Sequence, residues 1–180
     1  MARTIYPRSE LAVTRWHTAR SITEFTSDEI PMEISGRSPV SSSETVSSIS
    51  TSYGSFITRE TNSVLFSDWG LPHYAGDRKH RVRGIEMQLY TQRVGRIQDK
   101  TIQIWSGRNL IGHNQQNLDA ENTEMYGGPN SIWGIAPQNL PDVGKPEFGV
   151  VIDLQPHTTI PCNAVVRIHS VKLRIWVLPD

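Results

Sequence analysis

From Phe56 onward apolar and polar residues alternate with the period of two expected of a strand with one buried face. Ile85, Met87 and Leu89 alternate with Glu86, Gln88 and Tyr90 along Gly84–Gln92, and Ile102 and Ile104 repeat the pattern after a turn region at Arg96–Lys100. Phe148, Val150, Ile152 and Leu154 make one face of a third run, with Val151 supplying a second apolar side. In the last run, Val165–Val177, the residues Val171, Leu173, Ile175 and Val177 alternate with Ser170, Lys172, Arg174 and Trp176. Val166 and Ile168 fall in the opposite phase, which predicts a bulge or bend near His169-Ser170. Gly70-Leu71-Pro72, Gly127-Gly128-Pro129, Gly144-Lys145-Pro146 and Ile160-Pro161 punctuate these runs as turns. Short strands, frequent turn signals and no convincing amphipathic helix predict an all-β antiparallel sandwich or jelly-roll-like domain.

Residues 1–55 have a different texture. Apolar residues are few, charge is scattered, and a Ser-rich tract runs from Ser38 to Ser55. Such a segment buries too little apolar surface to offset its ordering entropy in isolation. The sequence therefore divides into an extended N-terminal arm, 1–55, and a β-sandwich domain, 56–180. Within the arm, Leu11, Trp16, Ile22 and Phe25 are apolar anchors among polar residues, and their irregular period fits a short helix or a strand laid against a partner.

The length of 180 residues suits one compact domain plus an arm. Lys plus Arg and Asp plus Glu balance at 18 each, so neither nucleic acid nor an anionic membrane is an expected partner. No run approaches the ~18 apolar residues of a membrane-spanning helix, and the N-terminus lacks the apolar stretch of a secretory signal, so a soluble, unexported protein is expected. Cys162 stands alone and reads as a small packing residue.

Candidate chemistry is sparse. Tyr126-Gly127-Gly128 and Trp133-Gly134 fit either a sugar-stacking loop or, preferably, a tight turn whose rings plug the end of a sandwich. Trp69, Trp105 and Trp176, with Tyr74 and Tyr90, fit a glycan-stacking surface or, preferably, a subunit interface, because Trp105 and Trp176 lie out of phase with their strands' buried residues. The basic run Arg78–Arg83, flanked by Asp77 and Glu86, reads as a solvated strand entrance or an ion-pair surface before a phosphate site. His17, His73, His80, His113, His157 and His169 set no metal-ligand spacing. Asp68, Asp99, Asp119, Glu121 and Asp153 are scattered, and no nucleophile elbow, phosphate loop or dinucleotide fingerprint occurs. No cofactor, no metal, no catalytic residue and no enzymatic activity are expected.

The order of these elements carries a resemblance. A strand beginning Gly84-Ile85-Glu86, a second running into Gly107 and Gly112, a polar stretch, then Tyr126-Gly127-Gly128-Pro129-Asn130-Ser131-Ile132-Trp133-Gly134, Phe148-Gly149-Val150 and a long last strand resemble a β-sandwich module of tailed-bacteriophage structural proteins and some bacterial surface proteins. The likeness runs from about Phe56 to Val177; the long N-terminal extension and the Pro-rich insert at Ile135–Pro146 depart from it. The resemblance implies a non-enzymatic virion component of tail, collar, baseplate-fibre or decoration type, assembled in the host cytoplasm and anchored by its arm. It implies oligomers, commonly trimers, and contacts with other virion proteins. The alternative is a carbohydrate- or host-receptor-binding module that stacks sugar on Tyr126, Trp133 or Trp105.

Overall fold

The computed structural model describes residues 10–25, 32–34, 63–156 and 165–179. The boundary expected at 55/56, the Ser-rich tract, His157, Ile160-Pro161 and Cys162 lie outside them. The fold is an all-β sandwich of a six-stranded and a five-stranded sheet. Its strands are β1 (Ala12–Val13), β2 (His17–Thr18), β3 (Ser21–Phe25), β4 (Met32–Ile34), β5 (Ser63–Ser67), β6 (Val82–Val94), β7 (Ile97–Trp105), β8 (Leu110–Ile111), β9 (Thr123–Gly127), β10 (Gly149–Pro156) and β11 (Val165–Val177). Short 3-10 turns at Gly76–Arg81 and Pro137–Asn139 are the helical content of the described residues.

In the six-stranded sheet the path is β1-β11-β6-β9, with β2 and β4 also pairing β11; the other sheet runs β3-β5-β10-β7-β8. All pairings are antiparallel except β4 with β11. The alternation read from the sequence sets which residues face inward. Ile85, Met87 and Leu89 of β6, Ile102 and Ile104 of β7, Val150, Ile152 and Leu154 of β10, and Leu173 and Ile175 of β11 are fully buried and share one core. Removing a Leu, Ile or Met side chain of this size from water contributes about 1.5–3 kcal/mol.

Three register shifts interrupt the long strands, one of them between Trp176 and Val177 of β11, where Arg83 of β6 is the extra residue. On β11 the register with β6 shifts between Ile168 and Ser170, so that Val166 and Ile168 and, beyond the shift, Val171 and Leu173 all point inward. On β7, Asp153 faces Thr101 while Leu154 faces Asp99, leaving Lys100 as the extra residue. The turn expected over 96–100 is tighter than that. Gly95, at φ +84°, lets β6 reverse into β7 at Gly95-Arg96, and Ile97 to Lys100 already belong to the strand.

Part of the segment read as an arm is built into the sandwich of this same chain. β1 and β2 pair with β11 in one sheet, then the chain crosses over and β3 pairs with β5 in the other. Thr14 donates its N–H to Ile175 O and accepts the Ile175 N–H on its Oγ1 (3.0 and 3.1 Å), and Arg20 N–H reaches Asp68 O at 2.9 Å. The irregular apolar spacing of Leu11–Phe25 follows from this path, since its pieces lie on two sheets in turn.

Candidate interaction surface

The Tyr-Gly-Gly and Trp-Gly segment is structural packing. Gly127, at φ +78°, lies so close to β6 that a Cβ there would strike the Ile85 carbonyl oxygen and the Trp133 indole nitrogen. Trp133, itself at φ +57°, donates its Nε1–H to that same Ile85 carbonyl at 2.9 Å. The Gly128 N–H also donates to Ile85 O, while Ile85 N–H donates to Ser131 O at 2.8 Å. The Trp133 carbonyl accepts from His113 N–H at 2.6 Å. Tyr126 is 4% exposed and Trp133 fully buried. Neither ring offers a face to a sugar, so the stacking reading fails at both positions: one apolar face of each ring is needed to close the core.

Tyr126 ends in a buried ionic network. Its hydroxyl donates to Asp99 Oδ2 at 2.6 Å; the second Asp99 oxygen takes Arg93 Nη2 at 3.0 Å, and Asn117 N–H donates to Oδ2 at 3.0 Å. Arg93 also donates through Nε to Thr91 Oγ1 and through Nη1 to Ile97 O. Burial, then the neighbouring Asp99 charge, pushes the Tyr126 hydroxyl pKa far above its usual value. The arrangement ties β6, β7, β9 and the 112–122 loop together. A second buried carboxylate, Asp142, accepts from Tyr74 N–H (2.9 Å), Gly144 N–H (3.0 Å) and His73 Nδ1 (3.2 Å). Burial works to raise its pKa, but these hydrogen bonds outweigh it and the carboxyl titrates below its ordinary range. His17 donates from Nδ1 to the Trp69 carbonyl (3.1 Å), and desolvation lowers its pKa.

The rings grouped from sequence separate. Trp69 is buried, Tyr74 packs on the core, and Trp105 and Trp176 lie half-buried on the outer faces of different sheets. What gathers instead is a patch on the outer face of the six-stranded sheet. The Arg174 guanidinium lies 4.2 Å from the Trp16 ring centroid and 5.3 Å from that of Trp176, within cation–π range. Glu86 Oε2 accepts from both Arg174 Nε (2.6 Å) and Trp176 Nε1 (3.2 Å). Further along the same face Tyr90 stacks on His169 at 5.0 Å, and Gln88 lies opposite both Lys172 and the exposed Met125. These are the outward positions of β6, β9 and β11, joined by Trp16 from the N-terminal segment. The opposite phase of the alternating strands β6 and β11 was the signal available for Glu86, Tyr90, Arg174 and Trp176; Met125 and the coming together of Trp16 and Arg174 had none.

Arg81 of the basic run is spent on the chain itself, donating through Nε and Nη2 to Leu178 O, whereas Arg78, His80 and Arg83 are exposed. Among the described residues no group of three or more His, Cys, Asp or Glu is placed to hold a metal ion. No protein family, curated protein or solved structure matches this chain.

Proposed function

We propose that this chain is a non-enzymatic structural protein of a tailed-bacteriophage virion, an appendage of tail, collar or baseplate-fibre kind or a decoration component. In this reading it is fastened through its N-terminal arm and packs against copies of itself and other virion proteins. The observation that carries the reading is the outer face of the six-stranded sheet. Trp16, Trp176, Tyr90 and Met125 stay partly exposed there around a fixed Arg174–Glu86 pair, the aromatic, Met and Arg composition that subunit interfaces favour. The resemblance of the stretch from about Phe56 to Val177 to phage modules supplies the kind of assembly. The buried Arg93–Asp99 pair holds the scaffold, and no role in bond making is assigned to it.

The glycan-binding alternative loses Tyr126 and Trp133 to the core and keeps Trp105 and Tyr90. On the Trp16 and Trp176 rings, Arg174 already occupies a position that a sugar would need. The test is immunogold electron microscopy of gradient-purified particles from the source lysate, using antibody raised to the purified chain. Labelling at a fixed site on the particle is expected. Unlabelled particles from a lysate that contains the chain would overturn the virion reading, and binding of the free chain to a glycan array would then favour the alternative.

A further inference from the structure

Among the described residues, β9 ends its sheet with an open edge. Its bonds to β6 run through alternate residues: Thr91 N–H donates to Asn122 O at 2.6 Å and Gly128 N–H to Ile85 O at 3.1 Å, with Leu89 facing Glu124 and Met87 facing Tyr126 between them. In an antiparallel ladder the intervening residues turn their N–H and C=O groups to the other side, which here is the side without a neighbouring strand. Thr123, Met125 and Gly127 are all exposed, and no bond to their backbone groups from that side occurs among the described residues. The usual guards of an edge are missing as well: the five residues Thr-Glu-Met-Tyr-Gly hold no Pro and no Lys, and Glu124 is engaged with the Glu121 N–H.

We infer that the β9 edge pairs with the β9 edge of a second copy of this chain, joining the two six-stranded sheets across a two-fold axis at Met125. This deepens the assembly reading above by naming the partner and the surface. The sequence of the edge is self-complementary in that register. Met125 meets the partner's Met125 as a hydrogen-bonded pair, and Thr123 meets the partner's Gly127 on either side. The 45%-exposed Met125 side chains, on the outer face opposite Gln88, then cover one another. The neighbouring register, centred on Glu124, would set two carboxylates face to face and is disfavoured. Charge is complementary too. The approach to β9 is acidic, with exposed Asp119 and Glu121, while exposed Arg83 lies beyond its far end beside Gly84, which packs under Gly128 and Pro129. Two-fold pairing brings the acidic end of each copy toward the basic end of the other. A five-residue edge is smaller than the ~1,200 Å² of standard stable interfaces, so the association belongs to the weak, concentration-dependent class.

The test is sedimentation velocity of the full chain from micromolar to several hundred micromolar. The expected result is a shift from the 20.3 kDa monomer toward twice that mass. Met125→Lys, which sets two like charges together on the axis, and Met125→Pro, which removes an outward N–H and no bond within the chain, should both abolish the shift with an unchanged β circular-dichroism spectrum. Should either variant unfold, Met125→Cys in a Cys162→Ser background decides. A hydrogen-bonded antiparallel pair holds its Cα atoms ~5.5 Å apart, within disulfide reach, so this variant should oxidise to a covalent dimer. A monomer at every concentration, an oligomer other than a dimer, a dimer indifferent to the Met125 variants, or a Met125→Cys chain that does not cross-link would overturn the inference. The Met125 variants and cross-link read the edge rather than attachment to a particle, so this inference can fail while particles are still labelled, and the reverse.

Discussion

Removing the Asp99 carboxylate is the sharpest test of what holds the sandwich together. Its side chain is fully buried and that of Arg93 is 5% exposed, so Asp99→Ala leaves a guanidinium without its counter-charge in a site closed to water. Breaking a buried pair from one side costs about 3–5 kcal/mol. The Tyr126 hydroxyl and the Asn117 N–H lose their acceptor in the same step, each a loss of about 1 kcal/mol or more. Together these place the expected loss at about 5–7 kcal/mol, a large share of the ~5–15 kcal/mol that a domain usually has. Tyr126→Phe removes one short bond to a charged acceptor and leaves the ion pair, for about 2 kcal/mol. Because both changes delete the same bond, the double variant should cost less than the sum, with a coupling of at least ~1 kcal/mol. Urea unfolding followed by circular dichroism and tryptophan fluorescence is the assay. With a urea slope of ~2 kcal/mol/M, Asp99→Ala should move the midpoint by about 3 M. A loss below ~1 kcal/mol at unchanged slope, or strict additivity of the pair, would refute the account of a closed network.

Gly127→Ala should destabilise by about 3 kcal/mol or prevent folding, since it combines positive φ with a collision against the Ile85 backbone; thermal melting of the soluble fraction measures it. Tyr126, whose pKa is raised in the fold, contributes stability that is complete below its unfolded value near pH 10 and lost as the pH rises above it. Tyr126→Phe should therefore flatten the alkaline limb of the stability profile. His17 and Asp142 have lowered pKa values, so their contributions are present above about pH 6.5 and pH 4 respectively and fade on acidification below each. Asp142→Asn should remove the lower of those two acid limbs in a urea-midpoint series against pH. Arg174→Ala should cost only about 1 kcal/mol, given its partly exposed partners, yet accelerate proteolysis within residues 10–25 by releasing Trp16; unchanged cleavage there would argue against the clamp.

The strands that alternate strictly were legible because one side of each meets the core. Ile85, Met87 and Leu89 announce themselves, and even the bulge at His169 shows as a phase change between Ile168 and Val171. β9 was not recognised as a strand, since in Thr-Glu-Met-Tyr-Gly only Tyr126 is buried. The Asp99 network was also out of reach. Arg93, Asp99 and Tyr126 become neighbours only once β6, β7 and β9 are in register, and an acidic residue in a strand gives no sign of whether it faces water. The N-terminal strands gave a mixed signal for a related reason: segments of two to five residues take their form from the strand they join.

The path of that segment also sets when the fold can close. Ile175 N–H bonds to Thr14 across 161 positions of the chain, and β1 reads its register from Trp176 and Val177. A nascent chain emerging from the ribosome therefore exposes β1 and β2 early and completes their pairing with β11 only after Val177 has been made. Closure by such distant contacts is slow compared with local pairing. Until then the open side of β6 that β11 will cover is free to pair with another chain. Closure of this domain thus waits on the synthesis of β11, with a window in which newly made copies are more prone to misassociate than finished ones.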